Sequence, residues 1–243
     1  MGKAKVRLSA FDPTISTDTK RTGIASDGSV GSRTWDNAAS AGQPQHKGLG
    51  NNAKLAEWAT SLNFDGTNDY LELSTAESIS TVDWMFVIAF VDLDTSSDNT
   101  LLGFEGVGVQ AGNDGYLQIG SGGTSIKWNG CTGKLGEQTI ATNTTNSSTI
   151  SYTFGSDVEV LILYQTSSVQ YYYNIDGDLI GQSPLHGAYS QACDFTAIGY
   201  HSGATELLNA QVLDVRIYTG SDVPPNSAAS LQAIGNRYKQ MMD

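Results

Sequence analysis

The sequence has few of the residues that build common metal centres and disulfide frameworks. Its 243 residues include two cysteines and three histidines. Cys131 and Cys193 could form one disulfide, but they match no CxxC metal or redox spacing, and we interpret them as free thiols. The histidines, His46, His186 and His201, lie among Gly and Ser without HxH or HxxxH spacing. We therefore expect loop histidines and not metal ligands.

Positive charge and long apolar runs are also scarce. Thirteen Lys and Arg stand against 25 Asp and Glu, so the formal net charge is -12. This balance disfavours binding to nucleic acid or anionic lipid. The strongest apolar stretch, WMFVIAFV at 84–91, is too short to span a bilayer. The amino-terminal residues lack the apolar core of a secretory signal, so we expect neither export nor membrane insertion.

Glycine, tyrosine and small polar residues are abundant. Twenty-seven glycines and 11 tyrosines accompany only 16% charged residues, a composition typical of short strands joined by tight turns. Alternating runs recur about every ten residues, which is typical of a sandwich or barrel. The predicted strands are 61–64, 70–73, 83–92, 100–104, 115–119, 125–129, 149–154, 158–165, 168–175, 179–183, 195–199 and 211–218.

Two stretches predict particular elements. Both alternating faces of 84–91 are apolar, which indicates a central strand buried on both faces. VQYYYNIDGDLIG predicts a hairpin that turns at Asp176 and Gly177, with its odd-numbered residues from 169 to 175 on the inner face and Tyr172 on the other.

The carboxyl-terminal residues change to helical spacing. Leu231, Ile234, Tyr238 and Met241 form one apolar stripe after two prolines and a Ser or Asn cap. One terminal helix is therefore predicted to close a β domain.

Four stretches resemble, in the same order along the chain, the concanavalin A-like, laminin G-like jelly-roll superfamily. They are LNFDGTNDYLELS, VDWMFVIAFVDLDTSSDNTLLGFEG, VQYYYNIDGDLIG and FTAIGYHSGATELLNAQVLDVRIYTG. The resemblance covers about residues 60–238 and implies an all-β, antiparallel two-sheet sandwich with a concave face where relatives bind glycans or proteins. We predict one jelly-roll domain over 35–243, with the C-terminal helix, and an extended N-terminal arm over 1–34.

The turn FDGTNDY follows the first strong strand. Gly66 is expected to supply the turn conformation, and Asp65, Asn68 and Asp69 to cap its backbone amides. We interpret this stretch as a corner of the fold, although its acidic residues first look like a ligand loop.

The sequence offers no recognisable catalytic motif. Glucanases that share the jelly-roll fold resemble one another in a Glu-x-Asp-x-Glu strand, which is missing here, as is the Gln-x-His strand of lyases. There is also no GxSxG elbow and no P-loop. We expect a non-enzymatic protein, and a polysaccharide-degrading enzyme with an unconventional active site stays open as an alternative.

One acidic stretch contains candidate calcium ligands. In VDLDTSSDN, Asp92, Asp94 and Asp98 could present hard oxygen ligands, as in the similar metal loop of legume lectins. The Asp-Pro and His that follow in that family are missing. A solvated inter-strand loop is therefore favoured over calcium, and no other cofactor is expected.

Aromatic residues at strand ends are the glycan-binding candidates, because rings stack on the apolar face of a sugar. Trp128 and the Tyr200-His201 pair lie beside Gly and Asn, and Tyr172 and Tyr116 come next. For each residue singly, an ordinary aromatic partly buried in the sandwich is the favoured interpretation.

A lectin-type sandwich with a polar arm and no export signal predicts a virion component, displayed on a bacteriophage capsid or tail. Its partners would be other virion proteins or cell-surface polysaccharide, and a homo-oligomer would suit that setting. A free carbohydrate-binding module is the alternative. The basic residues that could attach the arm to an acidic partner are Lys3, Lys5, Arg7, Lys20 and Arg21, and a strand followed by a disordered leader is the alternative there.

Overall fold

The computed structural model describes most of the chain after residue 60 and short strands before it. The described residues are 6–9, 20–23, 33–36, 45–48, 60–67, 69–79, 83–106, 115–129, 147–155, 157–166, 169–184, 193–200 and 206–240. Only the backbone is described for the four strands before residue 60 and for some positions in later strands.

The described residues form sixteen strands and one α-helix. In chain order the strands are β1 (Val6–Ser9), β2 (Lys20–Gly23), β3 (Arg33–Asp36), β4 (Gln45–Gly48), β5 (Thr60–Asp65), β6 (Leu71–Ile79), β7 (Trp84–Val91), β8 (Asn99–Gly106), β9 (Gly115–Ile119), β10 (Ser125–Asn129), β11 (Ser147–Ser151), β12 (Glu159–Gln165), β13 (Val169–Tyr173), β14 (Leu179–Pro184), β15 (Cys193–Ile198) and β16 (Asn209–Thr219). The helix α1 (Ala228–Gln240) follows β16.

The strands form two antiparallel sheets of eight. Sheet one has the order β14-β13-β12-β7-β16-β5-β4, and β1 also pairs with β16. Sheet two has the order β11-β10-β9-β8-β15-β6-β3-β2. This arrangement confirms the predicted all-β, two-sheet jelly-roll sandwich with a C-terminal helix.

The inner faces of the two sheets enclose the larger core. Alternate residues of β7 point into it, and Trp84 packs against Phe104 and Trp128 of sheet two, with ring centroids 6.1 and 5.9 Å apart. Every residue of β7 is buried, which confirms the prediction of a central strand covered on both faces. Side chains from facing sheets interdigitate in this way in β-sandwiches.

A second core lies on the outer face of sheet one, under α1. Met85, Val87, Ala89 and Val91 face outward from β7 and belong to one buried cluster with the apolar stripe of the helix. The predicted stripe residues Leu231, Ile234 and Tyr238 are 2 to 4% exposed, and Met241 lies outside the described residues. The backbone N–H of Ser230 donates to Ser227 Oγ at 3.3 Å, which caps the start of the helix.

Glycines let α1 approach the loop between β13 and β14. A Cβ on Gly235 would lie 1.8 Å from the carbonyl oxygen of Ile175, and one on Gly177 would lie 2.9 Å from the backbone nitrogen of Gln232. Gly177 has a φ of +76°, as the predicted turn requires. The loop is longer than a two-residue turn, because the backbone N–H groups of Asp176 and Asp178 both donate to the side chain of Asn174.

The predicted facing of this hairpin is wrong. Tyr172 is fully buried between the sheets, whereas Tyr171, Tyr173 and Ile175 pack into the cluster beneath α1. The alternation itself is right, but sheet one is apolar on both faces. The sequence pattern alone therefore could not show which face meets sheet two.

The amino-terminal segment contributes strands to both sheets. β1 pairs with β16 in sheet one, and β2 pairs with β3 in sheet two. The described parts of 1–34 are thus β-strands, and the extended arm over 1–34 with its boundary at residue 35 stays a prediction. The sequence does not predict β2, β3 or β4, since these four-residue strands lie among Gly, Ser and Asn without a legible alternation. Within the described residues, no helix has the length and apolar character needed to cross a membrane.

Candidate functional site

The outer face of sheet two carries polar side chains, unlike that of sheet one. Leu117, Ile119, Ile126 and Trp128 point into the inter-sheet core. Alternation therefore places their neighbours on the outer face. These outward residues of β9 and β10 are Tyr116, Gln118, Ser125 and Lys127.

Hydrogen bonds connect this outer face to the loops at one end of the sandwich. Gln118 Nε2 donates to Thr100 Oγ1 at 3.0 Å, and Thr100 Oγ1 donates to the backbone oxygen of Glu206 at 2.6 Å. Lys127 Nζ lies 2.5 Å from Asp98 Oδ2, and the backbone N–H of Ser121 donates to Asp98 Oδ1 at 2.6 Å. Polar contacts therefore join the outer face to the loops, through the buried Thr100 and Gln118 and the partly exposed Lys127 and Asp98.

We call this end of the sandwich, residues 65–67, 69–70, 92–99, 199–200 and 206–209, the loop end. Its segments are joined by backbone hydrogen bonds: Gly66 N–H donates to the oxygen of Leu208 at 3.0 Å, and Leu208 N–H donates to that of Gly199 at 3.2 Å. The backbone N–H of Asp94 donates to the oxygen of Asn209 at 2.9 Å. Three loops that are distant in sequence thus form one connected unit.

The turn that contains Gly66 behaves as the sequence predicts. Gly66 has a φ of +72°, and a Cβ there would lie 2.8 Å from the Cβ of Asn209. Asp65 Oδ1 accepts the backbone N–H of Thr67 at 2.8 Å, and Asp69 Oδ2 accepts that of Asp65 at 3.1 Å. The capping roles of Asp65 and Asp69 are confirmed, whereas Asn68 lies outside the described residues.

Buried amides hold the loop that carries the calcium candidates. Asn99 is fully buried; its Nδ2 donates to the backbone oxygen of Asp94 at 2.6 Å, and its Oδ1 accepts the N–H of Asn209 at 2.8 Å. Asn209 Nδ2 in turn donates to Asp94 Oδ2 at 3.0 Å. The loop conformation is therefore fixed by the protein's own polar groups.

The three calcium candidates each bind a different protein donor. Asp92, whose φ is +53°, accepts Gln211 Nε2; Asp94 accepts Asn209, and Asp98 accepts Lys127. Within the described ranges, no group of three His, Cys, Asp or Glu side chains could hold a metal ion. The geometry thus separates these carboxylates, and calcium binding stays a prediction.

Two of these carboxylates have lowered pKa values. A hydrogen bond from the backbone of Ser96, and then one from its side chain, lowers the pKa of Asp94. For Asp98, partial burial raises the pKa, but hydrogen bonds from Lys127 and Ser121 outweigh it and the net pKa is lowered. Both groups are therefore ionised at neutral pH.

An aromatic pair lies at the loop end. Tyr70 and Tyr200 are stacked, with ring centroids 4.5 Å apart and planes at 26°, and both are half-buried. Tyr70 precedes β6 and Tyr200 follows β15, and these strands pair through Leu71 and Ile198. The sequence singles out Tyr200 but misses Tyr70. The signal that could have found it is its position just after the capped turn, where β6 enters the sheet beside the end of β15.

The other predicted glycan-binding residues that the structure describes do not join the tyrosine pair at the loop end. Trp128 is 2% exposed and Tyr172 is fully buried, so the prediction that either could stack on a sugar is wrong. Both lie on strands whose inward faces fill the core, and Trp128 contacts Phe104 at a centroid distance of 5.1 Å. Tyr116 is half-buried on the outer face of sheet two, and His201 lies outside the described residues.

Several other predicted residues are not described in side-chain detail. Lys3, Lys5 and Cys131 lie outside the described residues. The backbone alone is described for Arg7 in β1, Lys20 and Arg21 in β2, and Cys193 in β15. The attachment role of the basic residues and the state of the cysteines therefore stay predictions.

No protein-family model matches the chain, and no curated protein sequence matches it. Among solved structures, the Trypanosoma rangeli sialidase in complex with 2,3-difluorosialic acid is similar, with 10% identity and a TM-score of 0.60. The match covers 98% of this chain and 34% of the sialidase, so this chain spans about a third of that protein.

Two further solved structures are similar. The heptameric SAP-like pentraxin of Limulus polyphemus matches with 11% identity and a TM-score of 0.50, over 71% of this chain and 80% of the pentraxin. The CBM40 of Ruminococcus gnavus IT-sialidase bound to alpha2,3 sialyllactose matches with 12% identity and a TM-score of 0.49, over 72% of this chain and 96% of that module. At such low identity the likeness concerns the fold alone, and the fold of this chain is a lectin-type jelly-roll β-sandwich.

Proposed function

We propose that the protein is a non-enzymatic, lectin-like protein that binds glycans at the loop end. The observation that carries the proposal is the stacked, half-buried pair of Tyr70 and Tyr200 beside a fixed network of hydroxyl, amide and carboxylate groups. A sugar ring has one apolar face and a rim of hydroxyl groups. An aromatic ring flanked by polar groups is therefore a surface of matching chemistry.

One exposed polar residue, Glu206, lies close to Tyr200 along the chain. Glu206 is exposed and follows Tyr200 in the same inter-strand connection, and its backbone oxygen accepts the hydroxyl of Thr100 at 2.6 Å. Gln118 donates to Thr100, and both side chains are buried, so they hold this backbone oxygen in place from beneath. Since these groups are already ordered, a bound glycan would cost little reorganisation of the protein.

The fold likeness supports the proposal in a limited way. The structure of the Trypanosoma rangeli sialidase contains a bound sialic acid derivative, and part of that protein shares the jelly-roll architecture of this chain. At least one protein that acts on a glycan therefore contains this architecture in part of its chain. The absence from the sequence of the Glu-x-Asp-x-Glu and Gln-x-His strands favours binding without catalysis.

Glycan-array screening followed by calorimetry tests the proposal. We expect the wild type to bind at least one glycan, and Tyr200→Ala and Tyr70→Ala each to weaken that binding about two- to tenfold, since a stacked aromatic contributes about 0.5–1.5 kcal/mol beyond its burial. Tyr171→Ala is the matched control, because Tyr171 is also a half-buried tyrosine stacked on a neighbour, Tyr173, but lies beneath α1. An array without any binding, or equal losses in all three variants, would rule the proposal out.

Incubation with a panel of polysaccharides tests the non-enzymatic part. We expect neither new reducing ends nor unsaturated products. Release of either by the purified protein would instead favour the alternative of a degrading enzyme with an unconventional site.

We also propose that this binding function is displayed on a virion surface, with other virion proteins as partners of the basic amino-terminal residues. The acidic excess elsewhere in the chain and the basic residues before position 22 support this setting. Deleting 1–25 would remove β1 and β2 from the sheets, so charge reversal at Lys3 and Lys5 is the cleaner test. Loss of particle attachment is expected, with retained folding by circular dichroism, and undiminished attachment would contradict the proposal.

A further inference from the structure

The charge surrounding the tyrosine pair points to the class of glycan that the loop end accepts. The loop end includes the carboxylates of Asp92, Asp94 and Asp98, while the whole chain carries a formal net charge of -12. Of the cations whose side chains the structure describes, Arg216, Arg237 and Lys239 lie on β16 or α1. Lys127 alone adjoins the loop end, where Asp98 binds it at 2.5 Å.

The partners of two of these carboxylates are neutral. Asp92 accepts the amide of Gln211, and Asp94 accepts the backbone N–H of Ser96 at 2.8 Å and the amide of Asn209 at 3.0 Å. A neutral donor stabilises an ionised carboxylate without cancelling its charge. The lowered pKa of Asp94 agrees with this, because it marks a carboxylate that stays ionised. The loop between β7 and β8 therefore keeps a negative field at the loop end.

The loop between β7 and β8 is joined to the same backbone network as the tyrosine pair. The N–H of Asp94 donates to Asn209, the neighbour of Leu208, whose own N–H donates to Gly199 next to Tyr200. The Debye length grows to about 30 Å at 0.01 M salt, so at low salt charges on this network act on a ligand at the tyrosine pair. This field would repel an anionic sugar at the tyrosine pair, whereas it would exert no net force on a neutral sugar.

We infer that the loop end selects uncharged glycans and disfavours glycans that end in a carboxylate or sulfate. This inference rests on the proposed glycan-binding function and names the substrate class of the same site. It departs from what is bound in the structurally similar sialidase, whose ligand is a sialic acid derivative. The selectivity arises from the acidic loop beside the aromatic pair and not from the pair itself, because stacking on an aromatic face does not require charge on the sugar.

Matched glycan pairs that differ only in a terminal sialic acid test the inference. Lactose and 3′-sialyllactose are one such pair, and the array supplies the same comparison for other cores. In 20 mM salt we expect the neutral member to bind at least about fivefold more tightly, and we expect the ratio to shrink toward one in 500 mM salt, where surface charges are screened. The salt series uses the wild-type protein alone, so it does not depend on the folding of any variant.

Charge-neutralising variants locate the origin of the selectivity. Asp94→Asn and Asp92→Asn are each expected to lower the ratio of neutral to sialylated affinity about two- to threefold at low salt, whatever their effect on the two affinities singly. Asp178→Asn is the control, since Asp178 is an exposed aspartate on the loop that contacts α1.

The outcomes separate the two proposals. Equal or tighter binding of the sialylated member by the wild type at low salt would overturn the inference and leave the proposed function standing. Failure of both members of every pair to bind would overturn the proposed function and the inference with it.

Discussion

The outer faces of the two sheets differ in the polarity of their side chains. On sheet one, β7 is apolar on both sides, and its outward residues are sealed by the stripe of α1. On sheet two, β9 and β10 alternate, and their outward residues include Gln118 and Lys127. A strand that is apolar on both faces needs a second layer, whereas an alternating strand leaves one face for polar chemistry. The pattern within single strands thus indicates which outer face is covered by α1 and which carries polar side chains.

The close approach of α1 to sheet one is the most sensitive point of the covered face. We expect Gly235→Ala to lower the free energy of unfolding by about 3 kcal/mol, because the new Cβ would overlap the carbonyl oxygen of Ile175. A Gly to Ala change in a helix normally raises the free energy of unfolding by about 1 kcal/mol. A decrease would therefore by itself indicate the close contact with Ile175. Urea denaturation measures the change, with the exposed Asn236→Ala as control, and a stabilised Gly235→Ala would contradict the packing described.

The buried polar contact beneath α1 should have the next largest effect. The hydroxyl of Tyr238 donates to Asp214 Oδ2 at 3.0 Å, and Arg216 Nε donates to the same oxygen at 2.6 Å. Burial, and then the charge of Asp214, raises the pKa of Tyr238, so the hydroxyl keeps its proton. We expect Tyr238→Phe to cost about 1–3 kcal/mol in the free energy of unfolding.

A double-mutant cycle with Asp214→Asn isolates this contact. The two changes should be non-additive, because Tyr238→Phe removes the donor of the hydrogen bond and Asp214→Asn removes the charge that strengthens it. Tyr171→Phe is the control, and additive effects would mean that the contact contributes little.

On the polar side, the pair of Asp98 and Lys127 should contribute less and should depend on pH. Both side chains are partly exposed, so we expect under about 1 kcal/mol. The folded-state pKa of Asp98 is lowered, so its contribution is complete above the unfolded value of about 3.9 and is lost as the pH falls through the lower folded value. Thermal unfolding of wild type and Asp98→Asn between pH 2 and 6 measures this; parallel curves would contradict it.

The smallest effect is expected at the rim of the polar face. Thr149 is exposed on β11 opposite Lys127, and Thr149→Val should change the free energy of unfolding by no more than about 0.5 kcal/mol.

The reverse substitution on the covered face, Val87→Thr, should lower the free energy of unfolding by about 1–3 kcal/mol, because it buries a hydroxyl beneath α1. Equal costs would remove the distinction between the two faces.

Most of the fold can be predicted from the sequence. Regular alternation and turn residues predicted every strand after residue 60, and the two-sided apolar run of β7 identified a central strand. The helix stripe with Leu231, Ile234 and Tyr238 was equally clear, because its spacing reflects one buried face. The short strands β2, β3 and β4 could not be predicted, since their pairing depends on distant partners and leaves no local pattern in the sequence.

Much less of the candidate site can be predicted from the sequence. Alternation shows that Trp128 faces one side of its strand, but only the packing of the sheets shows that this side is the core. The stack of Tyr70 on Tyr200 joins residues that are distant in sequence, through the pairing of β6 with β15. Such a contact has no local pattern, because it depends on the strand order of sheet two.

The position of β16 near the end of the chain has a kinetic consequence. It pairs with β7 across the middle of sheet one, through residues roughly 120 to 135 positions apart. Such non-local pairings slow folding, because the chain must close a long loop before the contact forms. During synthesis, the wholly apolar β7 would emerge long before β16 and would keep one edge unpaired in the interval. This period of exposure is when aggregation competes most strongly with folding, and chaperone supply should therefore govern the yield of folded protein more than its final stability does.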